Sequence, residues 1–275
     1  MLGTYVEVEL QAEASDQQLI EYSQAAFAAI ERVEAMMSFH RQDSELSNIN
    51  RHAHLQVCPL SPAMHQVLAQ ALALSELSAG LFDISIAPSL VELGGLPSVP
   101  DVIAQGANWQ AIELSPNSIA FKQPLLLDLG GIAKGYAVDC AMAAVPDEVQ
   151  LGINAGGDLR LSHWQGQQTA VRLPSKPGQT VALPMMASAI ATSANYYTDF
   201  APDSVSEMET ASAMIMPATG EPIVQDFSIS VYADSCMLAD ALTKWAFLDP
   251  AAGAKIRDLN ALAVMVTADG QVTAL

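Results

Sequence analysis

From Thr4 to Leu10 apolar and polar positions alternate, with Val6, Val8 and Leu10 on one side and Tyr5, Glu7 and Glu9 on the other, the pattern of a half-exposed strand. Ser15 followed by Gln18 reads as a capping box, and Leu19, Phe27, Ile30, Val33 and Met37 then recur at helical spacing, predicting a helix that ends near His40. Ser61-Pro62 opens a second helix through Val67, Leu68, Leu72 and Leu77 that stops at Gly80. The run GLFDISIAPSLVELGGLP reads as a connection, and another helix is expected after Pro100. Leu125 to Leu127 predict a strand buried on both faces, followed by the Gly130-Gly131 turn and a helix with Ile132, Ala133, Tyr136, Ala137, Cys140, Ala141 and Ala144 on its apolar side.

A second unit of the same kind follows in VQLGINAGGDLRL, a strand running into Gly156-Gly157. From Trp164 to Leu173 and from Thr180 to Ser193 short strands and turns are expected, and Pro217, Gly220 and Pro222 mark a turn between two strands. Phe227 to Tyr232 alternates as a strand, and Met237, Leu238, Ala241, Leu242, Trp245 and Ala246 form the buried stripe of the next helix. A closing hairpin is marked by Asp269-Gly270.

Composition adds limits. With 275 residues, 51% of them hydrophobic, the chain can bury a substantial core as one large domain or two fused subdomains. No apolar run approaches the roughly 20 residues of a membrane span. The first residues show no basic, apolar or cleavage region of a leader, so the chain as written reads as cytoplasmic, or as periplasmic if a leader has been removed. Cys58, Cys140 and Cys236 lie in apolar surroundings and read as reduced thiols. The 30 acidic and 11 basic residues give a formal charge of −19, which argues against nucleic acid as a partner. For a phosphate ligand, that charge demands local compensation by a cation or by backbone N–H groups.

Candidate chemistry gathers in a few places. The strand, glycine turn and helix around Lys134 suit close approach of phosphates to backbone amides, and equally suit simple packing of a helix on its strand. Asp240, Thr243 and Lys244 share a helix face: either two oxygen ligands for Mg²⁺, or an ordinary Asp–Lys surface pair. His52 and His54 form an H-x-H pair, but without a third ligand in view they read as part of a solvated loop.

The set Gly3-Thr4, MSFHRQDSEL with IN behind it, GLFDISIAP, LDLGGIAKGYAVD, INAGGDL, ATSANY, PATGEP and SCMLADAL, in this order, resembles the ApbE-type flavin transferases, FAD:protein FMN transferases formerly called thiamine biosynthesis lipoproteins. The resemblance spans essentially the whole chain, 1–275. It implies an α+β fold of two interlocked subdomains, antiparallel sheets flanked by helices, with FAD between them. It also implies Mg²⁺-dependent transfer of FMN from FAD to a threonine or serine of an unidentified acceptor protein, with release of AMP. By the same resemblance Ala133, Asp240 and Thr243 fall at metal positions. His40, Asp83, Gly130, Gly131, Lys134, Asp139, Asn154, Gly156, Gly157, Asp158 and Ser193 fall at the flavin site or its scaffold. The sequence departs from the family at three points: Ala213 stands where the H-x-x-D-P-x-T-G turn has its proton-accepting histidine, Met216 where it has aspartate, and Lys244 where a metal-binding threonine is usual. Two alternatives therefore stand beside an active transferase: a flavin-binding protein that no longer transfers, and an interaction or assembly protein that keeps only the fold.

Overall fold

The protein is described from a computed structural model covering residues 2–100, 102–104, 106, 108–174, 176, 178–195 and 214–275. Ala213 lies outside these residues.

In chain order the elements are β1 (Val6–Gln11), α1 (Asp16–Met37), α2 (Glu45–His52), β2 (Cys58–Pro59), α3 (Pro62–Leu77), α4 (Ala87–Glu92), β3 (Ile112–Ser115) and β4 (Ser118–Phe121). Then come α5 (Ala133–Met142), β5 (Gln150–Ala155), β6 (Asp158–Leu161), β7 (Gln168–Arg172), β8 (Thr180–Pro184) and β9 (Ala189–Ser193). The last group is β10 (Met214–Ile215), β11 (Pro222–Ile223), β12 (Phe227–Ala233), α6 (Cys236–Leu248), α7 (Gly253–Asp258), β13 (Leu262–Thr267) and β14 (Val272–Ala274). The fold is α+β, and the chain divides into two compact units: Met1–Glu34 with Ile132–Ala194 and Gln225–Leu275, and Ala35–Gly131 with Asn195–Val224.

The first unit is built on a seven-stranded sheet in the order β1-β5-β6-β9-β12-β13-β14, with every described pairing antiparallel. Strand alternation sorts its side chains. Ile190, Tyr232, Val264 and Val266 turn to one face and pack with Val171, Leu173, Leu183 and Met185 from the β7–β8 hairpin and the residues flanking it. The other face receives α5 against β5 and β6, and α6 against β9 and β12. Because side chains in a strand alternate with period two, Leu159 and Leu161 join the apolar cluster while Asp158 and Arg160 face the helices. Burial runs around most of α6, with Trp245 and Phe247 among the largest fully buried side chains and Asp240 and Thr243 fully buried too. The single apolar stripe expected from the sequence is therefore too narrow, since the polar positions of this helix are interior as well.

The second unit holds the three-stranded sheet β2-β4-β3, the pair β10-β11, and helices α2, α3 and α4. Leu125, Leu126 and Leu127 are buried as expected, but they do not form a strand. The Asn50 side-chain amide donates to the Leu127 carbonyl at 2.9 Å and its oxygen accepts from the Leu127 N–H at 2.8 Å, while Asp128 N–H donates to the Ile84 carbonyl. A side chain has replaced the neighbouring strand. Two further expectations change: α4 lies inside the run read as a connection, and the described residues between Pro100 and Ile112 hold only a 3-10 turn, Trp109–Ala111. Helix α3 stops where predicted, although the residue before Gly80, Ala79, is also left-handed, with φ of 53°.

Candidate active site

Helices α5 and α6 each satisfy the other's first turn. Helix α5 has no side-chain cap of its own, and Gly135 N–H in its first turn donates to Asp240 Oδ2 of α6 at 3.1 Å. In return, Asp139 of α5 accepts from Cys236 N–H and Met237 N–H, both at 2.9 Å, while Ser235 Oγ accepts from Leu238 N–H. These are the amide groups that a helix start leaves without internal partners, and a carboxylate there also meets the positive end of the helix dipole. Arg160 of β6 donates to Asp139 Oδ1 at 2.5 Å. Asp139 is thus scaffold, fixing α6 against α5.

On this frame four charged groups meet. Lys134 Nζ lies 3.4 Å from both Asp240 oxygens and 3.1 Å from Asp158 Oδ2, and Lys244 Nζ pairs with Asp240 Oδ1 one helical turn along α6. The Asp240 side chain has no exposure and that of Asp158 only 3%, whereas Lys134 and Lys244 keep 26% and 21% of theirs. Burial works against the Lys134 ammonium, but the Asp158 and Asp240 carboxylates outweigh it and hold the group above the usual lysine range. Burial first, and the Asp240 charge second, push Asp158 up to about 6 against the pull of Lys134 and Lys244. At Asp240 burial is overcome by Lys134, Lys244 and the Gly135 N–H, so that carboxyl is held below the ordinary carboxylate range. The pair read from the sequence as two alternatives is real, but it lies inside the protein.

The remaining candidates separate into two groups. In the first unit Thr243 Oγ1 donates to its own helix at Asp240 O, 2.6 Å away, and lies 2.7 Å from Ser193 Oγ on β9. Asn154 Oδ1 accepts from Gly157 N–H across the β5–β6 turn. Gly156 there has φ of 64°, and a Cβ on it would meet Thr4 Oγ1 at 2.4 Å, so close packing against Thr4 as well as backbone conformation requires glycine. In the second unit Asp83 accepts from Ser85 N–H, Ser85 Oγ and Trp109 N–H, and burial raises its carboxyl. Gly130 N–H donates to Asp128 Oδ2, and Gly131 completes that turn before α5. His40 is exposed, while the neighbouring aromatic, Phe39, is buried. Cys58, Cys140 and Cys236 are free thiols, and burial raises each.

The metal expectation is not met by this donor set. Mg²⁺ asks for octahedral oxygen ligands. Asp240 already receives two ammonium groups and an amide, the Thr243 hydroxyl is turned to Asp240 O and Ser193, and Ala133 opens α5 beside them. Among the described residues no group of three or more His, Cys, Asp or Glu side chains is placed to hold a metal ion. Gly135 is the residue that the sequence reading passed over. The glycine inside an otherwise regular helical pattern was its only signal.

Comparison with known proteins gives a consistent set of relatives. A family model described as the ApbE family matches residues 2–266. An FAD:protein FMN transferase of Vibrio cholerae is 31% identical over 238 residues, 78% of this chain and 69% of that protein. One of Haemophilus influenzae is 27% identical, covering 90% of this chain and 79% of the relative. Among solved structures, a flavin transferase ApbE from Vibrio cholerae superposes with a TM-score of 0.79 at 25% identity, covering 99% of this chain and 94% of that one.

Proposed function

We propose that this chain, which belongs to the ApbE family, is an FAD:protein FMN transferase: it binds FAD and passes its FMN moiety to a threonine or serine hydroxyl of an acceptor protein, releasing AMP. The observation that carries this reading is Lys134, a cation fixed by Asp158 and Asp240 at the first turn of α5 with its head partly open to ligand. In a chain of net charge −19, a fixed cation is what a diphosphate requires.

The reaction balances simply. The acceptor oxygen forms a bond to the phosphorus of the FMN half, the bond from that phosphorus to the bridging oxygen breaks, and AMP leaves with the bridging oxygen as the hydroxyl proton is lost. Charge accumulates on the phosphoryl and leaving oxygens, so positioning and neutralisation dominate the catalysis of such a transfer. Lys134 supplies neutralisation from a position that two buried carboxylates hold in advance. It needs no reorganisation at the moment of reaction.

The test is chromatography of nucleotides after incubation with FAD and a threonine-bearing protein acceptor, with flavin fluorescence of the separated acceptor. AMP and a fluorescent acceptor are expected, and Lys134→Ala should lower both by about 10² or more if the cation supports the transition state. Absence of AMP together with absence of FAD binding would overturn the assignment.

A further inference from the structure

We propose that in this chain Lys244 takes the place of a divalent cation, so that the FAD diphosphate is bound by ammonium groups without Mg²⁺. The inference rests on the FAD reading of this site and concerns how the ligand is held. Its ground is the occupancy of Asp240. A carboxylate offers about four lone-pair directions. Here Lys244 takes Oδ1, Gly135 N–H takes Oδ2, and Lys134 sits 3.4 Å from both oxygens. A dication entering this space would displace an ammonium from a carboxylate that has no exposure, while facing the second ammonium at close range.

The neighbouring oxygens do not offer a substitute. Thr243 is fully buried and engaged with Asp240 O and Ser193 Oγ, and Asp158 faces Lys134 at 3.1 Å. What the cluster does offer a ligand is nitrogen. The stems of Lys134 and Lys244 are anchored on one interior carboxylate, and each keeps about a fifth to a quarter of its side chain exposed. Two ammonium groups fixed side by side present a diphosphate with charge and with several N–H donors, and no water has to be stripped from a metal ion.

The experiment is a fluorescence titration of the full chain with FAD, in excess Mg²⁺ and in excess chelator, with calorimetric titration of MgCl₂ alone into the ligand-free protein. Equal FAD affinities, within about twofold, and no heat from MgCl₂ are expected; weakening by about tenfold or more in chelator overturns the proposal. Lys244→Thr should bind FAD about tenfold or more weakly in chelator and regain affinity with Mg²⁺, whereas unchanged affinity in chelator would also overturn it. Lys244→Arg, which keeps the charge, should remain indifferent to metal; metal-dependent binding by this variant, if Lys244→Thr fails to fold, counts against the proposal. Failure to bind FAD under either condition refutes the transferase reading itself, a result distinct from binding that needs the metal.

Discussion

Asn50 is 1% exposed and bonds both the N–H and the C=O of Leu127 with a single side chain. Backbone groups buried without partners cost about 1–3 kcal/mol each, so Asn50→Ala should lower stability by roughly 2–5 kcal/mol, read as a fall in the urea midpoint at unchanged slope. A loss under about 0.5 kcal/mol would mean that water or another side chain takes over the pairing. The same residue explains one misreading. Three consecutive leucines establish that the segment is buried, but hydropathy does not say whether a strand or a side chain completes its hydrogen bonds. Asp139 and Asp240 posed the complementary problem: both were legible as candidates, but their reciprocal capping was not, because it depends on residues about a hundred positions apart in the chain.

At the level of elements, α5 and α6 touch through Gly135, where an added Cβ would lie 2.2 Å from the Cys236 carbonyl oxygen and 2.8 Å from Met237 Cα. Those are backbone atoms with no rotamer to yield. Gly135→Ala should therefore push the helices apart and cost at least ~1–3 kcal/mol. The same displacement pulls Gly135 N–H from Asp240, so FAD affinity should fall along with the melting temperature; a variant that melts normally and binds FAD normally would refute the close packing. The long periodic elements, α1, α3, α5, α6 and β12, were all legible, since their stripes extend over several turns or pleats. Helix α4 was not: its six residues, Ala87–Glu92, lie in a run bracketed by glycine and proline that reads equally well as a loop. The β5–β6 junction was read as a repeat of the strand, turn and helix unit. It is a hairpin, made by left-handed Gly156 and Gly157, and the hairpin is what returns Asp158 to the face on which Lys134 lies.

For the whole molecule, the decisive property is how stability responds to pH in a chain of net charge −19. Loss of negative charge on acidification relieves general repulsion, so a bare pH profile cannot isolate the interior cluster. A comparison of wild type with Asp158→Asn can. The Asp158 carboxyl is raised to about 6 in the folded chain, mainly by burial and then by Asp240, against an unfolded value of about 4. Between those values the folded state holds a proton that the unfolded state has lost, so the contribution of Asp158 to stability falls as pH rises from about 4 to 6 and stays at its lower level above that. Asp240 has the opposite sign: its depressed folded value contributes stability above an unfolded value of about 4, which is lost only as pH drops below it. The two windows barely overlap, so the difference between wild-type and Asp158→Asn melting temperatures should decline from pH 4 to pH 6 and then level off. The variant removes a partner of Lys134, so its absolute stability can shift in either direction without affecting that slope. A difference that is flat across this interval would show that Asp158 titrates as an ordinary carboxylate, and that Lys134 and Lys244 neutralise it as fully as they do Asp240.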